Sequence, residues 1–155
     1  MVEKLIMKWD DFGRASELLA DSIRSSHYQP DIIICIARGG MAPGSALGYA
    51  LNTKNVWSLN IEFYTGVDER LPLPIVLPPV PDVSLLSGMN ILVVDDVSDT
   101  GKTLATVKSF CADKAKDIRF AVLYEKPWTE FQCDYVWAYT DQWIVFPWAA
   151  MEHNV

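Results

Sequence analysis

The sequence predicts an α/β fold, a doubly wound parallel sheet flanked by helices. Two observations carry this. Continuous β-branched and apolar runs such as Ile32-Ile-Ile-Cys-Ile36 and Ile91-Leu-Val-Val94 have the composition of strands covered on both faces. Segments of helical spacing alternate with them, and the order βαβ…βαβ implies parallel strands joined by crossover helices.

The elements follow in order. From Asp10 to about His27, the residues Phe12, Ala15, Leu18, Leu19, Ser22 and Ile23 recur at helical spacing. Pro30 breaks the chain, and the run from Asp31 to Ile36 is the first buried strand. Arg38-Gly39-Gly40 reads as a turn, and Pro43 suits the first turn of a helix over 42–51. Val56–Phe63 alternates as a strand. Between Tyr64 and Asp82 no period can be read, and Pro72, Pro74, Pro78, Pro79 and Pro81 crowd the segment. A loop of that length inside a compact domain is usually either functional or disordered. Gly88 introduces the strand 91–94. Leu104, Val107, Phe110 and Cys111 then give the next helix its inward stripe. Phe120–Tyr124 and Tyr135–Tyr139 are two further strands.

A length of 155 residues fits one domain over 1–155. The composition, 50% hydrophobic and 21% charged, is that of a folded globular chain. Thirteen basic against 20 acidic residues give a net charge of −7, which opposes a general nucleic-acid or anionic-membrane surface. No apolar run reaches the roughly 18 residues of a membrane span. The N-terminal stretch is too short and too acidic for a signal peptide, so a cytoplasmic protein is expected. Cys35, Cys111 and Cys133 are widely spaced and form no C-x-x-C pair. Cys35 and Cys111 lie in apolar-periodic segments and read as core thiols. Two histidines, His27 and His153, leave no material for a paired-histidine site.

In an open parallel sheet, ligands gather beyond the carboxyl ends of the strands. Four unusual stretches fall there: Ala37–Gly40, Asp95–Thr103, Glu125–Trp128 and Trp143–Trp148. The second delivers two adjacent carboxylates, a turn of small polar residues and a helix. The amides of Asp99 to Thr103 would form an anion nest at the helix N-terminus. Ser98, Thr100 and Thr103 add hydroxyls, and Gly101 permits close approach of the backbone. Gly101-Lys102-Thr103 is no triphosphate P-loop, because position 96 is aspartate where that motif needs glycine. An anion nest beside two carboxylates suits a ligand with a phosphate at one end and hydroxyls or a metal at the other. A phosphorylated ribose has that shape. The plainer alternative is that Asp95 and Asp96 only cap a turn.

Val93-Val-Asp-Asp-Val-Ser-Asp-Thr-Gly-Lys-Thr103 resembles the phosphoribosyl-pyrophosphate (PRPP) signature of the type I phosphoribosyltransferases. The likeness spans most of the chain. Ala37-Arg38-Gly39-Gly40 resembles the family's pyrophosphate-binding loop, and 64–82 stands where the family has a mobile catalytic loop. That loop is proline-rich here and has Arg70 as its one cation, which suits a stiff flap. Tyr124–Trp128 and Trp143–Trp148 resemble purine-site segments of the xanthine- and hypoxanthine-guanine-type members.

The resemblance implies transfer of the phosphoribosyl group from PRPP to a 6-oxopurine, with release of pyrophosphate, in purine salvage. It assigns Asp95 and Asp96 to the ribose hydroxyls and Mg²⁺, where carboxylates stabilise developing positive charge on the sugar. Residues Ser98 to Thr103 would hold the phosphate. Ala37, Arg38, Gly39 and Gly40 would meet the pyrophosphate, with a cis peptide between Ala37 and Arg38. Asp99 would sit near N7 of the purine as proton acceptor or hydrogen-bond partner. Lys126 can only donate, so it suits a 6-oxo oxygen and opposes the 6-amino group of adenine. Trp143 would stack on the base and the Ile144 backbone would read its edge. A small hood is expected from Val2–Met7 and the C-terminal segment. The alternatives are a solvated Lys126 and a Trp143 that only fills the core.

Three functional readings therefore stand: a 6-oxopurine phosphoribosyltransferase, a PRPP- or nucleotide-binding regulatory protein, and a transferase for another base. An RNA-binding role needs a basic face, whereas Lys114, Lys116 and Arg119 are interleaved with Asp113 and Asp117. A homodimer or higher homo-oligomer is expected from the many aromatics and the usual symmetry of small enzymes.

Overall fold

The computed structural model describes residues 2–64 and 73–154. The elements run β1 (Lys4–Ile6), α1 (Trp9–Ser25), β2 (Ile32–Ala37), α2 (Met41–Ala50), β3 (Val56–Tyr64), β4 (Leu73–Leu77), β5 (Asn90–Ser98), α3 (Lys102–Cys111), β6 (Asp117–Glu125), β7 (Tyr135–Tyr139) and β8 (Trp143–Val145). Short 3-10 turns occupy Val83–Leu86 and Pro147–Asn154.

Six strands form the central sheet in the order β4-β3-β2-β5-β6-β7. All pairs are parallel except β3 with β4. Because side chains alternate across a strand, the β-branched runs feed two cores at once. Ile33, Cys35, Leu92, Val94, Ala121 and Leu123 face α1 and α2 through Ala15, Leu19, Ile23 and Leu47. Ile32, Ile34, Ile36, Ile91, Val93 and Val122 face α3 through Leu104, Val107 and Cys111. Helices on both faces and a buried parallel centre match the expected doubly wound class. The three cysteines are buried and free. Burial pushes the thiols of Cys35 and Cys111 up to about 11.

The stretch 64–82 departs from the single long loop expected of it. Leu73–Leu77 pairs antiparallel with β3, setting Pro74 opposite Phe63 and Leu77 opposite Asn60. Proline lacks an N–H and is tolerated on an edge strand, which is where β4 lies. Reading proline as a strand breaker hid this strand. Arg70 and its neighbours over 65–72 lie outside the described residues.

The hood takes the expected segments. β1 and β8 pair in parallel, matching Lys4 with Trp143, Leu5 with Ile144 and Ile6 with Val145. Trp148 anchors the C-terminal side: its ring stacks on Phe146 with centroids 4.9 Å apart and meets Phe12 of α1 edge-on at 5.1 Å. Among the described residues, no helix is long and apolar enough to cross a membrane.

Candidate active site

From β2 the chain proceeds to β3 and β4 on one side, and from β5 to β6 and β7 on the other. The boundary between β2 and β5 is thus the topological switch point, where the loops leaving two adjacent strands diverge and open a crevice. Those loops are Arg38–Gly40 and Asp99–Gly101.

The loops are fitted to β5 by close approach. A β-carbon on Gly39 would lie 2.2 Å from Asp96 Oδ2, and one on Gly40 would lie 2.3 Å from the Val94 carbonyl oxygen. At Gly40 the obstacle is backbone and leaves no room for a side chain, whereas at Gly39 it is the Asp96 carboxylate, which would have to move. The Ala37–Arg38 peptide is cis. Gly101 precedes α3 with φ +87°, a left-handed conformation open to glycine, and a β-carbon there would also strike Phe131 at 2.4 Å.

β5 runs on through the two carboxylates to Ser98, because β6 pairs with it as far as Glu125. Asp95 and Asp96 therefore stand in the strand, not in the turn after it, and line different cavities. Asp95 lines a cavity of about 240 Å³ with Ser98, Asp99, Thr100, Gly101, Lys102 and Thr103. Asp96 lines a second cavity of about 500 Å³. Asp95 is only 9% exposed, so one expected carboxylate is buried in the protein itself. Burial drives its proton affinity well up, and the neighbouring Asp96 adds to this. Burial also raises Asp96. The Asp96 N–H donates to Asp95 Oδ1 at 2.9 Å.

The 240 Å³ cavity is lined by Ser98 to Thr103, the stretch from which an anion nest is expected. Ser98 is buried, and its hydroxyl meets Thr129 Oγ1 at 2.9 Å, so it also braces the wall. Thr100 Oγ1 accepts from the Lys102 N–H at 3.4 Å.

The 500 Å³ cavity gathers Asp96, Asp99, Lys126, Trp128, Trp143, Ile144 and Phe146. Lys126 is 9% exposed, which removes the solvated-surface reading. Its ammonium donates to the Gln142 carbonyl oxygen. Among the described residues that is its one hydrogen-bond acceptor, although the group has three donors. Trp143 is 56% exposed on the cavity wall, so it is not a core-filling ring. The Trp143 N–H and Val145 carbonyl are engaged with the β1 side through Glu3 and Met7. Strand alternation then turns the N–H and C=O of Ile144 away from β1, at the rim of the cavity that Ile144 lines.

A third cavity of about 480 Å³ is lined by Arg38, Gly39, Met41, Ala42, Trp148 and Ala149. The three spaces adjoin. The first two share Val97 and Asp99, and the second and third share Ala149. A further cavity of about 530 Å³ involves Ser45, Tyr49, Lys54 and Val56. It lies where β3 begins, away from the strand ends that carry the chemistry.

Comparison with known proteins accords with this arrangement. The sequence model of the phosphoribosyl transferase domain matches residues 6–152. The chain belongs to the phosphoribosyltransferase domain family. A xanthine-guanine phosphoribosyltransferase of Ruegeria sp. is 32% identical over 151 residues, covering 92% of this chain and 83% of its own. The crystal structure of a purine phosphoribosyltransferase from Pyrococcus horikoshii superposes with a TM-score of 0.83 at 38% identity, covering 94% of this chain and 93% of that one. A Neisseria gonorrhoeae protein solved with bound ppGpp gives 0.82 at 28% identity, covering 99% and 95%.

Within this candidate site, sequence reasoning gave no role to Thr129 or Phe63, and it included Trp128 and Phe146 only as members of the purine-site segments, with no individual role. Trp128 had a visible signal, since it stands two residues after Lys126. The others become neighbours only through folding.

Proposed function

We propose that the protein transfers the 5-phosphoribosyl group of PRPP to a 6-oxopurine, hypoxanthine, guanine or xanthine, releasing pyrophosphate in purine salvage. The carrying observation is that a buried ammonium and an exposed carboxylate, Lys126 and Asp99, line one cavity that meets the anion nest through Asp99 itself. Base and phosphate subsites at opposite sides of Asp99 fit a nucleotide product. The xanthine-guanine and purine specificities of the relatives support the same base class.

In this reading the nest from Ser98 to Thr103 holds the 5-phosphate at the start of α3, where amide donors and the helix dipole favour an anion. Lys126 donates to the 6-oxo oxygen, Trp143 covers a face of the ring, and the Ile144 backbone borders its edge. The purine N9 attacks the anomeric carbon as the bond from that carbon to pyrophosphate breaks. Asp99 accepts or holds the proton at N7. Arg38 and the Gly39 amide receive the departing pyrophosphate charge, while the Gly40 N–H expected to join them donates to the Ile36 carbonyl oxygen at 2.7 Å. Asp95 and Asp96 place negative charge beside a ribose ring that becomes oxocarbenium-like.

The residues also fit Mg²⁺. Asp95 and Asp96 are adjacent carboxylates of β5 at the switch point, and among the described residues no cluster of three or more ligating side chains occurs, so a hard cation held there would share substrate oxygens. Asp95 and Asp96 would hold it. When bound, Mg²⁺ offsets the negative charge of PRPP beside these carboxylates. A cytoplasmic location and a homodimer or higher homo-oligomer belong to the same reading.

A panel of purine and pyrimidine bases with PRPP and Mg²⁺, scored by pyrophosphate release, tests it. Release with 6-oxopurines and little with adenine or pyrimidines is expected. Release with none of them would overturn the enzyme reading. A second reading, a nucleotide-sensing role, is favoured by the Neisseria relative with its bound ppGpp. Binding of ppGpp by calorimetry, with no turnover of any base, would select it.

A further inference from the structure

We propose that Trp128 is a positioning residue: its indole N–H holds the Asp99 carboxylate so that one oxygen is presented to the base. The inference rests on the transferase reading above and extends it to a residue that reading does not use.

The sequence builds the contact locally. Lys126–Thr129 is a turn closed by the Thr129 N–H donating to the Lys126 carbonyl oxygen at 3.2 Å, and Pro127 fits its second position because its φ is preset. This turn is fastened to the loop that carries Asp99. The Lys126 N–H donates to the Ser98 carbonyl oxygen at 3.0 Å, and the Glu130 N–H donates to that of Thr100 at 3.1 Å. The hydroxyls of Ser98 and Thr129 meet at 2.9 Å. The two residues flanking Asp99 are thus tied to the two ends of the turn that presents Trp128.

The side chains complete the arrangement. Trp128 Nε1 donates to Asp99 Oδ1 at 2.8 Å. Indole nitrogen is a donor only, so this bond has one polarity and leaves Asp99 Oδ2 as the oxygen without the indole. Both side chains line the 500 Å³ cavity. The Lys126 ammonium lies 5.6 Å from the centroid of the Trp128 ring, a cation–π distance. One indole therefore touches both polar groups assigned to the base, by its edge and by its face. Without that donor, an exposed aspartate can rotate and its carboxylate spends less time in the productive orientation.

Two variants separate the ring from the donor. Trp128→Phe keeps an aromatic face and deletes the N–H. Trp128→Gln deletes the ring and returns an N–H three bonds from Cβ, as in tryptophan. The Phe variant is expected to lose roughly 5- to 20-fold in kcat with the KM for PRPP unchanged, and the Gln variant to recover at least about half of that loss. A Phe variant equal to wild type, or equal losses in both variants, would overturn the positioning role. An activity-free readout accompanies this. The ¹⁵N-indole resonance of Trp128, assigned by its loss in Trp128→Phe, should shift upfield in Asp99→Ala. An unmoved resonance also overturns the proposal. If wild type releases no pyrophosphate with any base, the transferase reading falls while the resonance still reports whether Trp128 holds Asp99.

Discussion

The Asp96 carboxylate lies directly against Gly39: a β-carbon on that glycine would come within 2.2 Å of Oδ2. The loop after β2 and the carboxylate of β5 thus occupy adjoining space across the switch point, and the absent side chain is what lets them approach. Gly39→Ala is expected to push the loop and the carboxylate apart and to cost roughly 10²-fold in kcat/KM, the scale of a misplacement near 1 Å. Steady-state pyrophosphate release measures this. Wild-type kinetics would show that the approach is incidental.

Asp95→Asn with Asp96→Asn should abolish measurable turnover, a loss of roughly 10²–10³-fold or more. The same variant should melt higher at neutral pH. Burial raises both carboxylates above the ordinary 3.8, so the folded state binds protons more tightly than the unfolded chain. Their contribution is most favourable below that value and declines as pH rises through the raised folded values. The melting advantage of the double variant should therefore grow as pH rises from about 4 toward 7. Asn at 95 keeps an acceptor for the Asp96 N–H, so the strand geometry is retained. An advantage that shrinks over this range contradicts the burial account.

Lys126→Met removes the buried ammonium while keeping most of the stem. The loss of a donor to the 6-oxo oxygen should lower kcat/KM for guanine or hypoxanthine by roughly 10- to 100-fold, matching about 1–3 kcal/mol for an unmet buried partner. Adenine use should rise relative to them. If adenine stays equally disfavoured, the cation is not what discriminates.

Gly101→Ala combines a left-handed backbone with a clash against Phe131. A loss of roughly 2–4 kcal/mol is expected from strain plus overpacking, and a thermal melt reads it. An unchanged midpoint would mean that the loop before α3 relaxes freely.

Cys35, Cys111 and Cys133 are buried, and burial raises all three thiols. Native protein at pH 8 should resist iodoacetamide, and the denatured chain should take up three equivalents by mass. Rapid native labelling would place a thiol outside the core.

Much of the site was legible because it is local in the chain. A β-branched run needs burial on both faces, and Asp95–Thr103 carries its carboxylates, glycine and hydroxyls within nine residues. Lys126 and Trp143 were legible by residue type, but their surroundings were not: a lysine at a strand end looks the same whether solvated or buried. Tertiary structure decided that Lys126 is enclosed with the Gln142 carbonyl and that Trp143 stays on a cavity wall. Pairing with β6 kept β5 extended through Asp96, so the two carboxylates stand on a strand and not in a turn.

The sequence by itself determined the layering, the strand runs and the polar turn before α3, because hydrophobic period and glycine or hydroxyl placement act over a few residues. The tertiary structure alone decided β4, the burial of Asp95 and the bond between Trp128 and Asp99. Each depends on groups distant in the chain: a free sheet edge that accepts Pro74, neighbouring strands that exclude water, and a turn 29 residues away brought beside its carboxylate.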